Sequence, residues 1–378
     1  MVVESNQHRE FSEMAGEDLT SSLFEPSPLT PLSRESLTTE RLKGLAERIA
    51  AFTWVSGLPD WSWGEGVFML AQTRYCESVQ EPMPANLVDW FEHNQHNNFL
   101  SGHVNNIAPG AAAARLHSAG ALNSSALCEK LLAWVQDSSS STRASNGAIE
   151  HWPGGVWADT CYMVGTFLIN YGIVKRDTEL VEEAGRQLIA HAELLQNPTT
   201  DLFAHGSHRG ETLWAYWGRA NAWMALAAVE FLEAVEELEY DSKTVEAVRG
   251  NLLRQLNALA ELLPDYNVWD VLVDSQIENK GIIETSATAG MAAAFFRASE
   301  LIPTKRDDFL EVAWRALGGC LAYVDEQGVL TRTSAGTVLQ LVPFGYSVIR
   351  NDRMQLWGQG LVLNAISAAL MHGPSEPR

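Results

Sequence analysis

The chain has 378 residues, of which 46% are hydrophobic and 19% are charged, and its formal net charge is −21. A nucleic-acid-binding face is excluded, because 47 acidic residues outnumber 26 basic ones and no basic cluster occurs. The same charge disfavours an anionic membrane surface, and no apolar run is long enough to span a bilayer. The composition therefore predicts a globular protein with a large core and with neither nucleic acid nor membrane as a partner.

The cysteines and the first residues indicate a compartment. The four cysteines are widely spaced and form no CxxC pair, so we expect neither a disulfide framework nor a zinc site. Residues 1–19 contain no apolar stretch of the kind found in secretory signals. We therefore expect a cytoplasmic protein.

The composition of the chain changes near residue 36. Residues 1–36 are polar and include SSLFEPSPLTPLSRES, which cannot bury much, so we predict a flexible or surface-wrapping tail. Residues 37–378 keep a helical periodicity throughout and are predicted to form a single domain. Its twelve predicted helices are 37–56, 62–79, 84–96, 107–119, 124–137, 157–172, 178–195, 213–237, 241–263, 286–299, 304–324 and 356–371.

Alternate helices differ in surface polarity. The segments 289–298 and 361–370 are rich in small residues and almost uncharged, whereas 178–195 and 242–263 carry a polar face. Helices that are apolar all round are buried, and helices with one polar face lie outside. Alternation over six helical hairpins predicts an all-α fold, an (α/α)6 barrel. The alternative is a solenoid of stacked hairpins, but no repeat of fixed length is present.

Helix breakers and strand-like runs add local predictions. Gly57 and Pro59 are expected to end the first helix, and Gly172 is expected to end the sixth. Strand signals are few. The two strand-like runs within residues 328–345 could pair as a small β-hairpin.

The loops before the predicted inner helices carry aromatic and polar residues together with glycines. In a double ring of helices, these loops would meet at one mouth of the barrel. Aromatic walls with few charges are typical of pockets that stack sugar rings. The pattern therefore favours a carbohydrate pocket at that mouth. The six loops are 59–66, 101–110, 150–163, 203–223, 282–290 and 353–360.

Four stretches in these loops, VWADTCYM, WGRANAW, ETSATAG and LWGQG, resemble signatures of glycoside hydrolase family 105. These enzymes are the unsaturated rhamnogalacturonyl hydrolases, related to the unsaturated glucuronyl hydrolases of family 88. The resemblance, which extends from about Trp61 to the C-terminus, implies an (α/α)6 barrel that takes oligosaccharides ending in a 4,5-unsaturated uronic acid. In the implied reaction an aspartic acid protonates C4 of the vinyl ether, water adds at C5, and the resulting hemiketal releases the neighbouring sugar. The resemblance implies neither a metal nor an organic cofactor.

Asp159 in VWADTCYM matches the general acid of that family, and burial beside Trp157 is expected to raise its pKa. His205 matches a histidine that the family places near the substrate. Capping of the following helix is the alternative role for Asp159, and ordinary hydrogen bonding is the alternative for His205. The further residues expected to contact substrate are Arg219, Trp217, Trp223, Asn105, Trp63, Trp157, Met163, Thr285 and Ser286.

Within WGRANAW, Arg219 lies four residues before Trp223, so the two share one helix face. Arg219 would meet the substrate carboxylate or pair with a carboxylate of the protein, and the tryptophans of this motif would stack on sugars or belong to the core. The common family pattern is RGNGW, and the methyl groups of Ala220 and Ala222 would narrow the pocket or alter helix packing. Asn105 lies about where some relatives carry an aspartate.

If the reaction needs a second carboxylate, Glu65, Glu150 or Glu284 would have to supply it. Thr285 and Ser286 are also explained by capping of the helix that begins there. The motifs lean towards family 105, so the pectin-derived rhamnogalacturonan disaccharide is the expected substrate.

Three alternatives remain open. An unsaturated glucuronyl hydrolase acting on other lyase products is the nearest of them. A sugar 2-epimerase on the same barrel would need a histidine pair, for which His103, His151 and His205 are candidates. A sugar-binding protein without activity would be expected to lack the acid, whereas Asp159 is present.

Overall fold

The computed structural model describes residues 27–97, 99, 102–274 and 279–373. Over these residues the chain forms thirteen α-helices and one short pair of strands. In chain order they are α1 (Thr39–Ser56), α2 (Trp63–Val79), α3 (Ala85–Asn97), α4 (Pro109–Ser118), α5 (Ser125–Gln136), α6 (Ala158–Met163), α7 (Gly165–Lys175), α8 (Thr178–Leu195), β1 (Gly206–His208), β2 (Glu211–Leu213), α9 (Gly218–Leu238), α10 (Lys243–Glu261), α11 (Thr285–Leu301), α12 (Arg306–Leu321) and α13 (Leu356–Met371).

Six helices close into an inner ring. In this ring α2 packs on α4, α4 on α7, α7 on α9, α9 on α11 and α11 on α13, and α13 returns to α2. Outside the ring, α1 packs on α13, α5 on α4, α8 on α7 and α9, α10 on α9, and α12 on α11. The sixth outer helix, α3, packs through Trp90 on Trp61 in the loop before α2, with ring centroids 5.6 Å apart. The predicted (α/α)6 barrel is confirmed.

Burial follows the division into inner and outer helices that the sequence predicts. Sixteen of the 17 residues of α11 are buried, which requires a helix without a polar face. In α10 only six of 19 residues are buried, and they recur at three- and four-residue spacings along one face. None of the described helices is long and apolar enough to cross a membrane.

Glycines allow the inner helices to approach one another closely. A Cβ on Gly360 of α13 would lie 2.8 Å from backbone atoms of Val67 and Phe68 in α2. A Cβ on Gly290 of α11 would lie 2.8 Å from the Cβ of Ala222 in α9. The methyl group of Ala222 therefore faces the neighbouring helix, which is the helix-packing alternative of the two expected from the sequence.

The strand pair is not where the sequence suggested. Gly206–His208 pairs antiparallel with Glu211–Leu213, whereas residues 328–345 contain no strand. In residues 328–345, side chains instead of a partner strand form hydrogen bonds with backbone groups. For example, the Ser334 N–H donates to Oε1 of Glu284 at 2.9 Å. The hairpin expected near residues 328–345 is therefore wrong.

Two of the predicted helix boundaries at glycine have different outcomes. Gly57 follows α1 with φ of 88°, a left-handed conformation that glycine adopts readily, so this prediction is confirmed. Gly172 does not end its helix, because α7 continues to Lys175. A Cβ there would lie 2.7 Å from Val181 of α8, so this glycine permits close packing of two helices.

The described part of the predicted tail, residues 27–36, lies against the barrel. The Leu29 N–H donates to the hydroxyl of Tyr323 at 2.7 Å, just beyond the end of α12. Residues 1–26 lie outside the described residues. The division of the chain at residue 36 therefore stays a prediction.

We predict that Gly360→Ala lowers the free energy of unfolding by about 1–3 kcal/mol, because the added methyl group must displace the backbone of α2. Gly250→Ala in α10 is the matched control, since its Cβ would meet only Nη1 of Arg254 at 3.7 Å. The control should gain up to about 1 kcal/mol from helix propensity. Urea unfolding measures both changes, and an equal effect of the two substitutions would contradict the close approach of α2 and α13.

Candidate active site

Aromatic side chains from three inner helices and from α6 form one wall at the mouth. Trp63 and Trp357, at the starts of α2 and α13, stack with ring centroids 4.2 Å apart. Trp63 also meets the ring of Trp223 edge-on at 6.5 Å. Trp223 in turn contacts Tyr162 of α6 at 4.7 Å. The loops that precede the inner helices therefore converge, as the sequence predicts.

A second group of rings surrounds His205, which lies just before β1. Its imidazole is fully buried and packs on Trp217 at 4.3 Å and on Trp157 at 5.1 Å between ring centroids. Trp157 also stacks in parallel on His151, with ring centroids 4.5 Å apart. His103 follows at 5.2 Å from His151. Three histidines and two tryptophans thus form one contiguous cluster.

Asp159 and His205 face each other inside this cluster. Asp159 is the second residue of α6, and its Oδ2 lies 3.3 Å from Nε2 of His205 without the alignment of a hydrogen bond. Neither atom has a hydrogen-bond partner among the described residues, although both are buried. The Ala158 N–H donates to the carbonyl oxygen of His205 at 2.9 Å, which holds the two segments in register. Buried polar atoms left unsatisfied by protein groups are typical of a ligand site.

The capping alternative for Asp159 is supported only in part. Trp157 is the N-cap residue of α6 and no side chain caps this helix, but Asp159 lies in its first turn, where a carboxylate interacts favourably with the helix dipole. The expectation of a raised pKa for Asp159 is wrong. Burial is the largest single influence and raises the pKa, but His205, His151 and Arg219 together lower it below the ordinary value. Opposite charge in the surroundings therefore outweighs desolvation.

Arg219 is fully buried and is held by protein groups. Its Nη1 donates to Oε1 of Glu284 at 2.9 Å and to the carbonyl oxygen of Ser334 at 3.0 Å. Its Nη2 donates to the carbonyl oxygen of Ala335 at 3.0 Å and to the hydroxyl of Thr337 at 3.3 Å. The structure thus shows Arg219 in the second of its two expected roles, paired with a protein carboxylate.

Three more buried nitrogens near this mouth have no hydrogen-bond partner among the described residues. They are Nε1 of Trp217, Nε1 of Trp223 and Nε2 of His103. The opposite nitrogen of His103, Nδ1, accepts the backbone N–H of Asn105 at 3.1 Å, so Asn105 helps to orient this imidazole. Within the described ranges, no group of three or more His, Cys, Asp or Glu side chains is arranged to hold a metal ion.

Comparison with known proteins identifies the family to which the chain belongs. The family model for Glycosyl Hydrolase Family 88 matches residues 45–372. The chain belongs to that family. The match confirms the predicted resemblance and makes the protein a glycoside hydrolase.

The unsaturated rhamnogalacturonyl hydrolase YesR of Bacillus subtilis (strain 168) is 26% identical to this family 88 hydrolase over 348 residues, covering 88% of this chain and 95% of YesR. A possible GH105 member from Salmonella enterica has 22% identity and a TM-score of 0.79, covering 92% of this chain and 97% of that chain. The unsaturated glucuronyl hydrolase of Bacillus sp. GL1 has 16% identity and a TM-score of 0.67, and the match covers 90% of this chain and 99% of that chain. At these identities the solved structures show a shared fold.

The remaining predicted site residues of the family 88 hydrolase contact other groups of the protein. Met163, the last residue of α6, belongs to the hydrophobic core. Thr285 donates from its hydroxyl to the carbonyl oxygen of Thr331 at 2.7 Å. Ser286 donates to the carboxylate of Glu284 at 2.8 Å. The capping expected of these two hydroxyls is wrong, since Glu284 itself caps α11 by accepting the N–H of Ala287.

Sequence reasoning missed Tyr346, whose hydroxyl lies 2.7 Å from Nδ1 of His205. Its surroundings are strand-like and apolar in sequence, so the expected hairpin obscured it. The partner of Arg219 was missed as well, although Glu284 was named as a candidate second carboxylate. A glutamate directly before the TSATAG stretch was the available signal, because carboxylates favour a helix N-terminus.

We predict that Arg219→Met in this hydrolase lowers the free energy of unfolding by about 3–5 kcal/mol, because the buried carboxylate of Glu284 would lose its partner. Arg186→Met is the control, since Arg186 pairs with Glu179 and Glu183 at the surface. Exposed pairs of this kind contribute about 1 kcal/mol or less. Denaturant unfolding compares the two variants, and similar losses would contradict a special role for the buried pair.

Glu65, another candidate carboxylate, is 4% exposed in the first turn of α2, and burial raises its pKa to about 7. Folding therefore favours its neutral form. The associated stability is present below the ordinary pKa of 4.5 and is lost as the pH rises through about 7. We predict that Glu65→Gln gains stability relative to the parent between pH 5 and pH 8, by up to about 3 kcal/mol. Urea unfolding at both pH values tests this, with the exposed Glu261→Gln as control, and a pH-independent difference would refute it.

Proposed function

We propose that this family 88 hydrolase removes the 4,5-unsaturated galacturonic acid from lyase-generated rhamnogalacturonan oligosaccharides. The name of the relative YesR, which aligns over 88% of the chain, supports this substrate class. Family membership favours hydrolysis over the epimerase and non-catalytic alternatives. An unsaturated glucuronyl hydrolase remains the second candidate, because a solved enzyme with that name has the same fold.

The observation that carries the proposal is the buried pair of Asp159 and His205. Oδ2 of Asp159 and Nε2 of His205 lie 3.3 Å apart, and neither is hydrogen-bonded to a described residue. The indoles of Trp157 and Trp217 pack on the imidazole. This arrangement offers one group that can carry a proton and a neighbouring group that can exchange it, beside surfaces suited to sugar rings.

In the proposed reaction, the protonated carboxyl of Asp159 gives its proton to C4 of the vinyl ether. The positive charge that develops at C5 is shared with the ring oxygen. A water molecule then adds at C5 and returns one proton to the carboxylate of Asp159, which regenerates the acid. The resulting hemiketal opens to a ketone at C5 and leaves a hemiacetal at C1. Collapse of this hemiacetal to an aldehyde releases the neighbouring sugar as an alcohol. No covalent sugar–enzyme bond is formed, unlike in the usual two-carboxylate hydrolysis.

Substrate binding would prepare the acid for this step. In the free protein, His205, His151 and Arg219 lower the pKa of Asp159. A uronate carboxylate brought near Asp159 raises that pKa, because two neighbouring negative charges disfavour each other. Binding of the anionic sugar would therefore favour uptake of the proton that the reaction consumes.

The substrate carboxylate would be met by donors other than the guanidinium end of Arg219. Both terminal nitrogens of Arg219 already donate to protein acceptors. The imidazole nitrogen of His205 and the indole nitrogens of Trp217 and Trp223 are buried without a protein partner in the described part of the chain. Donors of this kind, desolvated in advance, bind an anion with little reorganisation.

We predict that Asp159→Asn lowers kcat on an unsaturated rhamnogalacturonan disaccharide by at least about 100-fold, because the amide cannot supply the proton. The measurement follows the ultraviolet absorbance of the C4–C5 double bond, which disappears on hydration. Calorimetric binding of the same disaccharide should persist in the variant. The exposed Asp137→Asn is the control and should retain parental activity.

If the parent protein hydrolyses unsaturated glucuronides but not the galacturonide, the assignment shifts to the second candidate, an unsaturated glucuronyl hydrolase. An Asp159→Asn variant that turns over at the parental rate would refute the role of this residue. Absence of turnover on both substrate classes by the parent protein would refute the hydrolase proposal itself.

A further inference from the structure

Tyr346 is a buried residue beside an exposed apolar stretch of the loop between α12 and α13. The loop between α12 and α13 exposes Val338, Leu341 and Phe344 at 61%, 82% and 44% of their side-chain surface. Tyr346, in a short 3-10 turn, is 1% exposed. Its ring stacks on Trp217 with centroids 6.0 Å apart. This residue therefore extends from the surface loop into the His205 cluster.

The hydroxyl of Tyr346 has two hydrogen-bond contacts. It accepts the backbone N–H of Gln340 at 3.3 Å, and it lies 2.7 Å from Nδ1 of His205. Among the described residues, this nitrogen is the acceptor available to the phenolic hydrogen. Burial raises the pKa of Tyr346, so the hydroxyl keeps its hydrogen over the working pH range. Tyr346 is therefore the donor, and Nδ1 of His205 is the acceptor.

A nitrogen that accepts a hydrogen bond carries no hydrogen, and neutral imidazole has one hydrogen in total. The hydrogen of His205 then resides on Nε2, the nitrogen that faces Oδ2 of Asp159 at 3.3 Å. We infer that Tyr346 is a positioning residue, which holds His205 as the neutral tautomer with its hydrogen on Nε2, the nitrogen that lies 3.3 Å from the carboxyl of Asp159. This inference rests on the proposed function for its consequence in catalysis, but not for the tautomer itself.

The protonation state of His205 affects the pKa of Asp159 through charge. An imidazolium beside Asp159 would keep the carboxyl ionised, whereas a neutral imidazole leaves it able to take up a proton at higher pH. The other titratable or charged groups that act on Asp159 are His151 and Arg219. Burial lowers the pKa of His151 to about 3, so it is neutral near pH 7. Arg219 is paired with Glu284. His205 is therefore one of the influences on the proton affinity of Asp159, together with burial and Arg219.

Tyr346→Phe removes only the hydroxyl and tests the inference. Tyr323→Phe is the matched control, because its hydroxyl also accepts a backbone N–H, from Leu29, away from the Asp159 cluster. The first measurement is made on ligand-free, full-length protein labelled with ¹⁵N at its 10 histidines. Correlation spectra at neutral pH distinguish Nδ1–H, Nε2–H and imidazolium forms, and the signal lost in His205→Gln identifies His205.

In the parent protein and in Tyr323→Phe, His205 should give the pattern of a single Nε2–H tautomer. In Tyr346→Phe, a population with a hydrogen on Nδ1 should appear. A parental His205 that is protonated on Nδ1, or on both nitrogens, would overturn the inference whatever the enzyme hydrolyses.

The second measurement is the pH profile of hydrolysis of an unsaturated rhamnogalacturonan disaccharide. In Tyr346→Phe, loss of the single Nε2–H tautomer should change the pH dependence of kcat and reduce kcat near pH 7 about tenfold. KM should stay within about twofold of the parental value. A profile equal to that of the parent, or an equal shift in Tyr323→Phe, would contradict positioning by Tyr346. Absence of activity in the parent would instead refute the proposed function, and the spectra would still decide the tautomer.

Discussion

The buried ion pair between Arg219 and Glu284 is the interaction on which the geometry of the mouth depends. Arg219 belongs to the first turn of α9, and Glu284 is the N-cap residue of α11. Arg219 also donates to backbone carbonyls of Ser334 and Ala335, which lie in the loop that carries Tyr346. One pair of charges thus connects two ring helices with the loop that reaches His205. Desolvation of both charges is costly, and the additional hydrogen bonds offset that cost.

The ring of inner helices also addresses an electrostatic difficulty. The chain has a net charge of −21, and the proposed substrate is an anion. Long-range repulsion is screened beyond about 8–10 Å at physiological ionic strength. Close to the mouth, the inner helices present their N-terminal ends, where backbone N–H groups carry partial positive charge. Local donors and helix ends therefore determine binding there, while most of the surface charge affects only the rate of encounter.

Much of this arrangement could be predicted from the sequence, because helix periodicity and small-residue content report burial directly. The inner and outer helices, the convergence of their loops, and the proximity of Asp159 to His205 all follow from local pattern and family motifs. Long-range pairing could not be predicted in the same way. Tyr346 meets His205 across 141 residues, and Ser334 meets Glu284 across 50. No local periodicity encodes such contacts, so the segment around 328–345 was misread as a hairpin.

The direction of the pKa shift at Asp159 was predicted wrongly for a related reason. Sequence neighbours such as Trp157 indicate burial, but charge partners come from other elements of the fold. His151 belongs to the same loop as Asp159, but His205 and Arg219 lower the pKa of Asp159 only because the fold brings their segments to this carboxyl. Desolvation can be anticipated from local composition, whereas electrostatic compensation depends on tertiary structure.

Two buried carboxylates at opposite ends of the barrel differ in their hydrogen bonding. Towards the far ends of the inner helices, the carboxylate of Glu230 receives Arg74 and Arg297 together with the amide of Asn170. Paired in this manner, its pKa falls below the ordinary value although burial alone would raise it. At the mouth, Asp159 has a carboxylate oxygen that no described residue satisfies by hydrogen bonding. Satisfied networks add rigidity and specificity, while unsatisfied polar groups reduce stability and are tolerated where function requires them. The same ring of helices can therefore hold an unsatisfied carboxyl at the mouth, because paired charges at both ends stabilise the helices around it.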